Sequence, residues 1–248
     1  MFAEQLGVSQ AAISMRHAMG KVQKIRKWVP QLNDRQMEQR QNTCQILFVK
    51  QKRKSFLHRI VIGDEKWIYF QNPKRKKCWI DLAQPSTSSS RSNRFWRKTM
   101  LCVWDQEGVI YYELLKLDET VNAHCYHQQL IKLHSALREK RSYYRKRHDK
   151  LIFLNDTIAH VNNSPKLLGD TQGEVLPHPA YSPDLTPSDY HLFSSMGHAL
   201  TERHFDSYEV VRKWLDEWFA SKEFFWRGIH KLPERWEKCI ISENKYFE

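Results

Sequence analysis

Residues 57–70, Leu-His-Arg-Ile-Val-Ile-Gly-Asp-Glu-Lys-Trp-Ile-Tyr-Phe, constrain the fold more than any other segment. Their β-branched and aromatic content predicts a strand, a kink at Gly63-Asp64, and a second strand. Around them the pattern alternates. A long helix is expected from Asp34 to about Lys54, then strands at Lys77–Ile80, Thr99–Trp104 and Val109–Leu114, with Gln106-Glu107-Gly108 as a hairpin turn. A helix over about Val121–Lys146 leads to a buried-type strand at Leu151–Leu154. A short helix near 160–168, a strand at Glu174–Leu176, a proline-punctuated loop over 177–187, and helices at about 188–201, 207–220 and 231–241 complete the chain. Consecutive strands followed by strand–helix alternation imply an α/β fold, a mixed sheet flanked by helices.

The first 27 residues read differently. Phe2, Ala3 and Leu6 form one apolar helical face, Gly7 permits a turn, and Ser9 is a good N-cap for a second helix carrying Ala12, Ile13 and Met19. Two short helices across such a turn make either a generic helical hairpin or a partial helix-turn-helix. In the second case Ser9, Gln10, Ser14, Arg16 and His17 face the major groove. The expected organisation is a partial all-α helix-turn-helix segment over 1–27, a linker and helix over 28–54, and an α/β domain over 55–248.

Composition narrows the partners. Forty Lys and Arg against 28 Asp and Glu give a formal net charge of +12, and the 41% apolar share is enough for a core. Cys44, Cys78, Cys102, Cys125 and Cys239 are scattered without CxxC spacing, which argues against a disulfide scaffold or zinc ribbon. No run of about 18 apolar residues is present, so no membrane span is expected. A polyanion is the natural partner of such a charge, because phosphate neutralisation releases counterions. Lys74, Arg75, Lys76 and Lys77, and the stretch Arg138–Arg147, suit phosphate contact, a solvated face or nuclear import. Trp28, Trp67, Trp96 and Trp104 suit base stacking or core packing, with the core favoured for Trp67 and Trp104. His124, Cys125, His127 and His134 share one helix and read as surface residues rather than a tetrahedral site.

Three carboxylates stand out. Asp64 follows Ile60-Val61-Ile62-Gly63, Asp156 follows Leu151–Leu154, and Asp189 opens a helix in Pro187-Ser188-Asp189. Each alone suits a cap, a turn or an ion pair. Converging, they would coordinate hard divalent cations for phosphodiester chemistry.

The segments Gly-Asp-Glu-Lys-Trp-Ile (63–68), Leu101–Lys116, Val175–Phe193 and Arg227–Cys239 resemble those of mariner transposases, and the resemblance runs along almost the whole chain. It implies an RNase H-like core with a DDD triad at Asp64, Asp156 and Asp189, and two Mg²⁺ or Mn²⁺ ions held by those residues. Asp184 is implied to shape its loop rather than to catalyse. The implied activity is hydrolysis at transposon ends, then attack of the freed 3′-hydroxyl on target DNA at a TA dinucleotide. The implied partners are double-stranded DNA of the terminal inverted repeats and the target, plus a second copy of the chain as a homodimer. The implied location is the nucleus.

Four departures from the family pattern lead to an expectation of impaired transposition, with a DNA-gripping remnant without chemistry, or a functionless one, as alternatives. The family's His-Asp-Asn-Ala is replaced by Asn155-Asp156-Thr157-Ile158, and thirty-two rather than thirty-four residues separate Asp156 from Asp189. The linker Trp-Val-Pro-His-Glu-Leu is reduced to Trp28-Val29-Pro30-Gln31-Leu32, and a Trp-Trp pair to Trp104 alone. A one-residue loss within a strand flips later side chains unless a bulge compensates. The first helix-turn-helix of the family's DNA-binding region has no counterpart in the sequence.

Overall fold

The computed structural model describes residues 20–25, 27–70, 72, 97–115, 123–141, 151–155, 174–220 and 222–247. Strands β1 (Lys21–Lys24) and β2 (Lys27–Pro30) form a hairpin with Val22 opposite Val29. Ile25 turns the chain in the left-handed region, at φ 46. This hairpin replaces the helical end and linker expected there and crosses the expected boundary at residue 27. Helix α1 (Asp34–Arg53) begins at a capping box, in which the Asn33 side chain accepts from the Gln36 amide at 2.9 Å and Gln36 returns the bond at 3.1 Å.

A single strand, β3 (Ile60–Tyr69), then runs through Gly63 and Asp64 without the expected kink. Gly63 is held on both sides, opposite Val103 of β4 (Arg97–Asp105) and Asn155 of β6 (Ile152–Asn155). Strand β5 (Gly108–Leu114) and the two-residue β7 (Glu174–Val175) complete the order β5-β4-β3-β6-β7. The β5-β4-β3 part is antiparallel, and β6 and β7 run parallel to β3. The expected strand over 77–80 and the helix near 160–168 lie outside the described residues.

The alternation along β3 divides the core in two. Val61, Leu101, Val103, Ile110 and Phe153 face helix α2 (Ala123–Lys140), which buries Leu130, Leu133 and Leu137 against them. Ile60, Ile62, Cys102, Trp104, Ile152 and Leu154 face the other way, into a larger core with α1 and the C-terminal helices. Those are α3 (Ser194–Ala199), α4 (Tyr208–Trp218), α5 (Lys222–His230) and α6 (Leu232–Ile241). Of these, α5 corresponds to no expected element. Helix α1 meets α6 through Arg40, Cys44 and Leu47 on one side and Leu232, Trp236 and Cys239 on the other, both at i, i+4, i+7.

The register of β4 with β5 shifts between Val103 and Trp104, which pair with Tyr111 and Val109. Ile110 is therefore the extra residue of a β-bulge, and Ile110 and Tyr111, though consecutive, pack against the same core. Strand β4 itself alternates without interruption, so Trp104 follows Cys102 into the larger core and is fully buried. Trp67, by contrast, is 49% exposed, which corrects the expectation that it belongs to the core. Its position on β3 lies beyond the part of the sheet that α2 covers.

Candidate active site

Asp64 is the fifth residue of β3 and is buried, 7% exposed. Its Oδ1 accepts from the Glu65 amide at 2.7 Å. Directly across the ladder is Cys102, whose thiol pKa is pushed up by burial and by the negative charge of Asp64. Half-burial likewise raises the Glu65 carboxyl above its usual range. The Ile62 and Cys102 side chains belong to the larger core, which sets the face of the sheet on which Asp64 lies.

Asp189 reaches that face from the proline loop. Pro177, Pro179, Pro183 and Pro187 leave residues 177–187 short of amide donors, so side chains hold the loop. The chain then enters a π-helical turn, Ser188–Phe193, with Asp189 buried at 6% exposure and its amide bonded to the Thr186 carbonyl at 2.9 Å. Both neighbours of Asp189 are pinned. Trp104 Nε1 donates to Ser188 Oγ at 3.0 Å, and the Tyr190 hydroxyl donates to the Gly228 carbonyl at 2.8 Å. Lys66 Nζ lies 5.2 Å from the Phe193 ring centroid, a second tie between β3 and this turn. His191 stacks on Phe224 at 4.2 Å, with Nε2 2.7 Å from the Phe224 carbonyl, so this nitrogen carries the proton; burial lowers its pKa.

The third expected carboxylate, Asp156, lies outside the described residues. Strand β6 does run parallel to β3, and the last described pair, Gly63 with Asn155, lies one residue before Asp64 and Asp156 in the sequence. Ser9, Gln10, Ser14, Arg16, His17 and Lys74, Arg75, Lys76 and Lys77 also lie outside the described residues. Within the second basic stretch, Arg141 does not face solvent. It forms a two-pronged pair with the fully buried Asp105, at 2.7 and 3.0 Å, and so fastens the end of α2 to the β4–β5 turn. His127 is exposed and His134 half-buried on α2, and among the described residues no group of three His, Cys, Asp or Glu is placed to hold a metal.

Sequence reasoning left Arg40 unmarked, yet it is wholly buried. Its Nη1 and Nη2 donate to Asp184 at 2.9 and 2.6 Å, Nη1 also to Ser182 Oγ at 2.6 Å, and Nε to the Asn244 carbonyl at 2.9 Å. Asp184 thus shapes its loop, as the resemblance implied. The available signal was position: Arg40, Cys44 and Leu47 share one helical stripe, and an arginine on a buried stripe needs an acid to meet it.

Comparison with known proteins decides the family. The chain is 64% identical to the mariner Mos1 transposase of Drosophila mauritiana over 255 residues, which covers 99% of this chain and 73% of that protein. The chain belongs to the mariner transposase family. The family described as Transposase (partial DDE domain) matches residues 69–147, a span that contains neither Asp64 nor Asp189. Among solved structures, the mariner chain is similar to a pre-cleavage Mos1 transpososome, with a TM-score of 0.80 and 62% identity, covering 99% of this chain and 74% of that one. It is also similar to the Mos1 paired-end complex with Mn, at a TM-score of 0.77 and 61% identity, covering 100% and 75%. The five-stranded sheet and its helices are the RNase H-like fold of this family. Mos1 structures have been solved with Mn and with Mg.

Proposed function

We propose that this protein is a DNA strand-cleaving and strand-joining transposase whose site carboxylates are Asp64, Asp156 and Asp189. The observation that carries the reading is that two buried carboxylates, Asp64 on β3 and Asp189 on the π-helical turn, belong to elements that pack Ile62, Leu192 and Phe193 into one core, within a chain of which 99% aligns with a Mos1 transpososome. All three donors are carboxylate oxygens, the ligand type that Mg²⁺ and Mn²⁺ take, so the residues fit a pair of such ions. Bound there, the ions supply Lewis-acid charge to a phosphodiester. The protein's own part is to hold the carboxylates in a buried setting, with Asp64 fixed by the paired centre of β3 and Asp189 by the anchored turn.

The substrate is double-stranded DNA: terminal inverted repeats first, then a TA target. Ser9, Gln10, Ser14, Arg16 and His17 read the major groove, and Lys74, Arg75, Lys76 and Lys77 contact phosphates. Support comes from the +12 charge and from the relatives, which are solved on transposon ends. The paired-end arrangement of those relatives supports a homodimer, and the DNA substrate together with the basic clusters supports a nuclear location.

The test is strand nicking of a duplex carrying the left transposon end bound by Mos1, in Mn²⁺, with mobility shift run in parallel. The expected result is nicking by the parent chain and its loss in Asp64→Asn, Asp156→Asn and Asp189→Asn, each still shifting the duplex. A parent that shifts the duplex without nicking it would establish grip without chemistry. The altered neighbours of Asp156, Asn155 and Thr157, are the specific features favouring that second reading.

A further inference from the structure

The loop that delivers Asp189 is held from outside the sheet. Arg40, on α1, has five N–H donors, and all five have acceptors. Nε bonds the Asn244 carbonyl, Nη1 bonds Ser182 Oγ and Asp184 Oδ1, and Nη2 bonds Asp184 Oδ2 and, at 3.4 Å, the Lys245 carbonyl. Both partners of the ion pair are fully buried. From the other side, Arg235 of α6 donates to the Asp184 carbonyl at 2.8 Å and lays its guanidinium 3.9 Å from the Tyr190 ring centroid. The amide of Phe247 reaches Asp184 Oδ2 at 3.4 Å, and the Tyr246 hydroxyl lies 2.9 Å from the Tyr181 carbonyl. Two helices and the 244–247 segment therefore close on Ser182–Asp184, five residues before Asp189.

A buried ion pair contributes little net stability, because desolvation offsets its attraction, but its fork geometry fixes orientation tightly. The segment it fixes is one that prolines deprive of backbone bonds, and the turn that follows carries Asp189 as its second residue. We propose that Arg40 and Asp184 are positioning residues for Asp189: the fork sets the start of the π-helical turn and hence where that carboxylate stands relative to Asp64. The proposal rests on the reading of Asp189 as a site residue.

The test compares the full chain with Arg40→Lys, with the double variant Arg40→Met/Asp184→Leu, and with Asp189→Asn. The double variant removes both buried charges together, which leaves neither uncompensated. Arg40→Lys keeps the charge and loses the fork. Three quantities are measured: thermal melting, amide hydrogen exchange across residues 182–193 against β3 and β4, and the Mn²⁺ concentration giving half-maximal nicking of the Mos1 left-end duplex. In both anchor variants, exchange is expected to speed up over 182–193 while β3 and β4 keep their protection. The Mn²⁺ requirement is expected to rise by about tenfold or more, the usual effect of losing support behind a metal-binding side chain. Parental exchange and parental Mn²⁺ requirement in these variants would overturn the proposal. So would faster exchange spread evenly over the sheet, which would make the pair a general stabiliser. Asp189→Asn separates the two readings: it should abolish nicking with parental exchange over 182–193. If it nicks like the parent, the site reading falls, while the exchange data still judge the anchor.

Discussion

Gly228 sits where the molecule has no room for one more carbon. A Cβ there would lie 2.6 Å from His191 Cδ2, within the Asp189 turn, and 3.1 Å from the ring of Trp104, which bonds that turn. His191 cannot easily yield, since it is stacked on Phe224 and bonded to its carbonyl. Gly228→Ala is expected to cost about 1–3 kcal/mol in urea unfolding, the usual range for overpacking. His191 itself links stability to pH. Burial lowers its folded-state pKa, so the unfolded chain, titrating near the ordinary value of about 6.5, binds the proton more readily. The contribution is present above that value and is lost as pH falls through the depressed folded one. Melting temperatures between pH 7 and pH 5 should therefore fall less in His191→Phe than in the parent.

The elements show why some features were legible and others hidden. The long helix α1 was expected from Asp34, and the Asn33–Gln36 capping box starts it there; Asn33→Ala should cost about 1 kcal/mol of stability by denaturant titration. The hairpin β1–β2 was hidden because its Lys-rich sequence carries only one apolar cross-strand pair, Val22 with Val29. A period of two tells which face a strand residue takes but not whether anything covers it, which is why Trp104 was read correctly and Trp67 was not. Arg141 was hidden by its surroundings: in a basic run it resembles its neighbours, yet it alone among the described ones meets a buried acid. Arg141→Ala leaves Asp105 buried and uncompensated and should cost about 3 kcal/mol or more, whereas exposed Arg138→Ala should change stability by about 0.5 kcal/mol at most. Thermal melting of the two variants side by side checks both values.

For the whole molecule, the net charge of +12 and the buried carboxylates divide the work between attraction and placement. Affinity for duplex DNA should fall about a thousandfold between ~50 and ~200 mM salt if some six phosphates are neutralised, with a linear log–log dependence measurable by fluorescence anisotropy. A flat salt dependence would remove DNA from the account. Asp64 and Asp189 were legible as candidates because an acid ending an apolar strand, or opening a helix after prolines, stands out from a basic background. The anchoring of the Asp189 turn was not legible, because the bonds that hold it and its loop, Trp104 to Ser188 and Arg40 to Asp184, join residues 84 and 144 positions apart.

That separation has a consequence in time. Arg40 and Asn244 are 204 residues apart, so on a ribosome adding about 5–20 residues per second the arginine waits for some ~10–40 s before the acceptor of its Nε is made. The sheet can assemble around β3 and β4 meanwhile, but the clamp on the Asp189 loop closes only once residues 244–247 emerge. A nascent chain thus carries the Asp189 loop unclamped until residues 244–247 have been made.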